Sequence, residues 1–194
     1  MDKILDAIMK KLINSGYVKE DDTEIVRYGL EIIIMKTIIT SLALLIAAIM
    51  KSFIAIIIFL TFFILLRSNC GGYHSNSRIC CFILSIAMLI AVIVIPKLLH
   101  STSRLYVSAL FSGTGAIIIT IFAPTETPTK PFDDIERKVF RRRSLIATAF
   151  AIAIAAVTAV FRLYTPLLSV SSAIFITAVL LIAGRISNRK GAKI

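Results

Sequence analysis

Cysteine is scarce in this chain, and where it falls excludes more than its number does. Only Cys70, Cys80 and Cys81 occur, all within residues 70–81. An odd, clustered set is not a disulfide framework, which leaves catalysis or metal binding as its chemical uses. Acidic residues are short as well: 11 Asp+Glu face 22 Lys+Arg, for a net charge of +11. Charge of either sign is nearly missing from six stretches, about 32–50, 52–66, 82–99, 105–123, 144–161 and 165–184. Such runs exclude a soluble chain with one core and a mixed surface. No internal repeat or low-complexity tract is visible. No secretory signal peptide is expected, because the opening MDKILDAIMKKL mixes Asp with Lys and lacks both an uninterrupted apolar stretch and a small-residue cleavage site.

What is present is apolar surface: 58% of the residues, with a mean hydropathy of +0.91. Lipid-solvated backbone must satisfy its own hydrogen bonds, so the runs predict an all-α polytopic membrane protein of about six transmembrane helices, one membrane domain over 1–194. Some runs fall below the ~20 residues of an untilted span. The first two, joined only at Lys51-Ser52, are open to reading as a shallow hairpin. Residues 2–14 place Ile4, Leu5, Ile8, Met9, Leu12 and Ile13 on one helical side and Lys3, Asp6, Lys10 and Lys11 mostly on the other, predicting an amphipathic interfacial helix. Asn14-Ser15-Gly16 ends it, and Asp22 or Thr23 caps the next helix, which leads into the first apolar run.

Orientation follows from the basic residues. Segments 1–36, 67–81, 124–143 and 185–194 hold 6, 2, 6 and 4 Lys/Arg, while the alternate turns hold Lys51, Lys97, Arg104 and Arg162. That split predicts both termini in the cytoplasm, with 67–81 and a basic loop 124–143 on the same face. The basic surplus then points to anionic membrane lipid or an acidic peptide rather than nucleic acid.

One polar segment carries candidate chemistry. Arg67-Ser-Asn-Cys70-Gly71-Gly72-Tyr73-His74-Ser-Asn76-Ser77-Arg78-Ile-Cys80-Cys81 separates the second and third runs. A His and a Cys are the minimal parts of a thiol nucleophile with a general base. On one continuous helix, seven residues would separate them by about 10.5 Å. Gly71-Gly72 argues against that continuity, and Asn76 or Ser77 is a natural N-cap that leaves Cys80 and Cys81 in the first turns of the next helix. There the helix dipole and a nearby imidazolium favour a thiolate. Other readings stay open: a buried small apolar Cys, a solvated loop His, or a zinc site from Cys70, His74 and Cys80 or Cys81.

These residues resemble a known family. The segment from Arg67 through Cys70-Gly71-Gly72-Tyr73-His74, with Cys81 after six further residues, is similar to the core motif of the accessory gene regulator protein B (AgrB) family. Tyr28-Gly29-Leu30-Glu31 and Ala123-Pro124-Thr-Glu-Thr-Pro128-x-Lys130-Pro131 extend the resemblance over most of the chain. It implies a membrane cysteine endopeptidase that matures a quorum-sensing propeptide, with His74 as base and Cys81, rather than Cys80, as nucleophile. Arg67, Gly71 and Gly72 are the supporting or oxyanion candidates. No cofactor and no metal are implied.

The implied substrate has an amphipathic leader, a signal segment and an acidic tail. The tail can meet Lys130, Arg137, Lys138, Arg141, Arg142 and Arg143, which also serve orientation. An acyl-thioester on Cys81 can exchange with a substrate thiol and close a thiolactone ring, since bond types are conserved. Asn76, Asp133 and Asp134 are options for a third catalytic residue. Anionic lipid is a second expected partner, and a homodimer is one option for assembly. A small transporter or a non-catalytic scaffold are the alternatives; charges confined to span ends disfavour the first, and Gly-Gly-Tyr-His is unexplained by the second.

Overall fold

The computed structural model describes residues 2–18, 22–71, 78–125 and 133–191. They form seven helices: α1 (Asp2–Asn14), α2 (Thr23–Ile49), α3 (Phe53–Cys70), α4 (Arg78–Leu98), α5 (Ser101–Phe122), α6 (Asp134–Val160) and α7 (Tyr164–Gly191). Five, namely α2, α3, α5, α6 and α7, are long and apolar enough to cross a membrane, and Phe82–Leu98 of α4 is a shorter apolar helix. The protein is an all-α polytopic membrane protein. At 1.5 Å per residue, α3 extends about 27 Å and α2 about 40 Å, against a hydrocarbon thickness of about 30 Å. The length of α2 covers the hydrocarbon and that of α3 falls a few ångströms short, within the range that lipid accommodates for a span.

Two compact units are distinguished, Met1–Leu45 and Ile46–Ile194. In the first, α1 carries the amphipathic pattern: Leu5 and Met9 are buried, whereas Asp6, Lys10 and Lys11 are exposed. It ends at Gly16 (φ 72°), where the Tyr17 N–H reaches back to the Leu12 carbonyl. Asp6 also meets Arg27 of α2 at 2.9 Å, an exposed pair of small energetic weight.

The second unit is organised around α7, which packs on α3, α4, α5 and α6. Of its most apolar 18-residue window, 72% is buried, against 17–28% for the corresponding windows of α3, α5 and α6. Hydrophobicity does not select the central helix when the solvent is hydrocarbon; close packing and hydrogen bonds do. Gly115 of α5 lets the helices approach so closely that a Cβ there would lie 2.9 Å from Ile174 Cγ2. Nearby, Ser112 Oγ donates to Ser171 Oγ at 2.8 Å, and Phe111 stacks on Phe175 at 4.4 Å. Large apolar side chains such as Leu110, Ile117, Ile146 and Phe150 remain exposed for lipid.

The helix ends sort by charge. Cys70, Thr125, Asp133 and the last turns of α7 share one end, linked by the contacts described below. Lys51, Lys97 and Arg104 share the other. One sequence expectation needs correction: 124–143 is not all loop. The Asp133–Glu136 capping box starts α6 at Asp134, so Arg137, Lys138, Arg141, Arg142 and Arg143 stand on its first three turns.

Candidate active site

The site is built from the end of α3. Gly71 has φ 74° and ψ −147°, a conformation that L side chains rarely adopt, and there the helix stops. The Gly71 N–H donates to the Arg67 carbonyl at 3.2 Å, and Arg67 Nη1 donates to the Gly71 carbonyl at 2.8 Å. Arg67 thus closes the end of its own helix, with its charge at the negative pole of the dipole. Because the Gly71 amide is engaged, its role here is positional.

What Gly71 positions is a junction with residues far along the chain. It forms a parallel bridge to Thr125, whose N–H donates to the Cys70 carbonyl at 3.1 Å. Any Cβ on Gly71 would overlap the Thr125 carbonyl oxygen. On the other flank Ser144 Oγ lies 2.7 Å from the Asn69 carbonyl and 2.8 Å from that of Phe140, both in reach of its one proton. Ser144 is fully buried and Thr125 is 5% exposed, so the polar contacts replace lost water.

Basic side chains lock the neighbouring end of α5. Arg141 donates to the Ala123 carbonyl at 3.3 Å and the Thr120 carbonyl at 3.4 Å. Arg185 donates to the Phe122 carbonyl at 3.3 Å and sits 4.8 Å over the Phe122 ring. Each cation meets carbonyls that the helix itself leaves unpaired.

The predicted residues divide accordingly. Arg67 and Gly71 meet directly at the junction. Cys81 stands on α4, three residues after its first described residue Arg78, and the expected cap at Asn76 or Ser77 lies outside the described residues. α4 runs antiparallel to α3, since Lys97 near its end donates to the Met50 carbonyl just before α3 begins. The first turn of α4 therefore stands at the Gly71 end. Gly72, His74, Asn76 and Lys130 lie outside the described residues, as do the side chains of Cys80 and Cys81. Cys70 is 0% exposed within the core that includes Leu66, Ile119, Ala147 and Ala151. Among the described residues no three His, Cys, Asp or Glu gather as a metal would require.

The charged residues of α6 have distinct settings. Asp133 accepts from the Asp134 N–H at 2.7 Å, and the Asp133 N–H donates to Glu136 at 3.4 Å, so Asp133 serves as the helix cap. Arg137 and Arg141 fall on the helical side of Ser144. Lys138 and Arg142 are exposed on the adjoining side, while Arg143 lines a separate apolar groove with Leu65, Asn69 and Phe150. Cations at a helix N-terminus oppose its dipole, and Asp133, Asp134 and Glu136 offset them. Thr125 and Ser144 were not among the predicted residues. Thr125 lies in the Ala123-Pro124 motif and was within reach of sequence reasoning; Ser144 carries no comparable signal.

A family model described as Accessory gene regulator B matches residues 2–183. Comparison with curated proteins and with solved structures finds no match.

Proposed function

The chain belongs to the accessory gene regulator B family, whose members take part in quorum-sensing peptide processing, and on that premise we propose that it is a membrane cysteine endopeptidase acting through Cys81 and His74. The observation that carries the reading is the Gly71–Thr125 junction. It joins two motif stretches that are distant in sequence, at the end of the bundle where the described part of α4 starts.

In this reading the Cys81 thiol sits at the positive end of the α4 dipole, which favours the thiolate. His74 accepts the thiol proton. The sulfur attacks the peptide carbonyl preceding the acidic tail, the carbon–nitrogen bond breaks, and the tail leaves as an amine carrying the proton returned by His74. With the Gly71 amide occupied, the amides of Gly72 or of the α4 start are the remaining oxyanion donors. A cysteine thiol of the substrate then attacks the acyl-thioester, forming a thiolactone and releasing the Cys81 thiol without further energy input.

Lys130, Arg137, Lys138, Arg142 and Arg143 supply the field for an acidic tail, with Arg141 committed largely to α5. The amphipathic leader would share the interface with α1. The basic end faces the cytoplasm in this proposal, following the positive-inside rule.

The test is co-expression with an acidic-tailed propeptide of roughly 40–50 residues, the size the resemblance implies, read by mass spectrometry. Wild type is expected to release the tail, and Cys81→Ser to abolish release with membrane insertion intact, since an alcohol is far harder to deprotonate than a thiol. Cys70→Ser and Cys80→Ser should retain most activity. Cleavage by all three variants would exclude thiol catalysis.

A further inference from the structure

The end of the bundle remote from Gly71 is poor in charge, yet three of its cations line one cleft. Lys51, Lys97 and Arg104 surround a space of about 690 Å³ between the starts of α3 and α7 and the end of α4. We propose that this cleft binds the phosphate headgroup of an anionic phospholipid, with the acyl chains lying along its apolar walls.

The first argument is missing neutralisation. All 11 carboxylates of the chain fall within residues 2–31 and 126–136. None of those among the described residues lines the cleft. Asp133, Asp134 and Glu136 stand at the start of α6, at the opposite end of the second unit. Clustered cations at a membrane edge, with no carboxylate seen beside them, attract an anionic headgroup.

The second is fixed geometry. Lys97 Nζ donates to the Met50 carbonyl at 2.8 Å and Arg104 Nε to the Leu99 carbonyl at 3.0 Å. These bonds hold the two head groups while using one of three ammonium donors and one of five guanidinium donors. Lys51 is held at φ 54° in the turn between α2 and α3, with the Ser52 N–H reaching back to the Ala47 carbonyl. The first residues of α3 and α7, Phe53 and Thr165–Pro166 among them, also face the cleft, adding the positive ends of two helix dipoles.

The third is the lining. Phe53, Ile54, Val92, Ile93 and Pro96 make the walls apolar. A free phosphate would leave them unfilled, whereas a phospholipid covers walls and cations together.

The experiment uses full-length protein in nanodiscs of phosphatidylcholine with graded phosphatidylglycerol, read by native mass spectrometry and thermal unfolding. Wild type should retain phosphatidylglycerol over phosphatidylcholine by about tenfold or more, each charge-assisted contact carrying a factor of that order. Lys97→Gln with Arg104→Gln should remove the preference. Arg162→Asn, at a cation outside the cleft, should leave it. Loss of the two backbone contacts could itself unfold the double variant, so Ser52→Asp is the second probe. It keeps a residue suited to the N-cap and all three cations, but puts a carboxylate in the cleft. It should lose the preference without losing stability. An unchanged preference in Ser52→Asp and the double variant would overturn the proposal. So would stabilisation by inorganic phosphate, in pure phosphatidylcholine, equal to that by phosphatidylglycerol, which would assign the cleft to a soluble anion.

Discussion

Replacing Gly71 by alanine adds one methyl group and tests whether the Gly71–Thr125 junction sets the geometry of the site. Two penalties apply. The backbone at φ 74° and ψ −147° is nearly reserved for glycine, and holding alanine there costs about 1–3 kcal/mol. The added Cβ also overlaps the Thr125 carbonyl oxygen, a backbone atom that cannot rotate away. The two segments must separate by roughly an ångström to restore ordinary contact. That movement breaks the hydrogen bond from the Thr125 N–H to the Cys70 carbonyl, a further ~0.5–1.5 kcal/mol. The total of about 1.5–4.5 kcal/mol is local, so the bundle should still insert. Misplacing a catalytic group by an ångström lowers rates by about a hundredfold, and that is the expected fall in propeptide cleavage. The assay is tail release by mass, normalised to inserted protein. Gly113→Ala, which places a Cβ in open space on α5, is the control. Wild-type cleavage by Gly71→Ala, or equal losses in both variants, would refute the reasoning.

His74→Ala should be as damaging as Cys81→Ser, while strong chelators leave wild-type cleavage unchanged; loss to a chelator and recovery with zinc would reassign the site to a metal. Reversing Lys138 and Arg142 should impair processing, as should added salt, since exposed charges are screened beyond about 8–10 Å. A propeptide with a basic tail should partly rescue that variant, and failure of every compensating pair would leave these charges with orientation alone. Arg141→Gln should behave differently, lowering thermal stability by about 1 kcal/mol through the freed α5 carbonyls, with no rescue by any tail. Reporter cysteines near residues 97–104 should react with an impermeant reagent outside intact cells, and those at 138 or 187 should not; the reverse pattern would invert the orientation.

Much of the fold was legible because its causes are local. Uncharged runs imply helices wherever lipid is the solvent, and α1, the start of α2 and the turn at Lys51-Ser52 followed from periodicity, capping residues and a break. That Cys81 is helical is equally local, since it opens an uncharged apolar run. Helix α6 begins at Asp134, ten residues before the apolar run at 144, and Asp133-x-x-Glu136 is its capping signal. The Arg run beside it lacks the apolar pattern of a span, but a helix carries charge readily where its end projects beyond the lipid.

Other features were decided only by the tertiary structure. Hydropathy ranks α2, with a mean of 2.5, above α7, at 2.3, yet α7 is the buried centre of the second unit. Packing in lipid depends on small residues and matched hydroxyls such as Gly115 against Ile174 and Ser112 with Ser171, which a transfer scale does not register. The contact of Thr125 with Cys70 and Gly71, and that of Ser144 with Asn69, join positions 54 to 75 residues apart. Helical periodicity extends over a few turns and carries no information at that separation. Which backbone groups remain unpaired at a helix end can be read locally, but which distant side chain reaches them depends on how the helices stack.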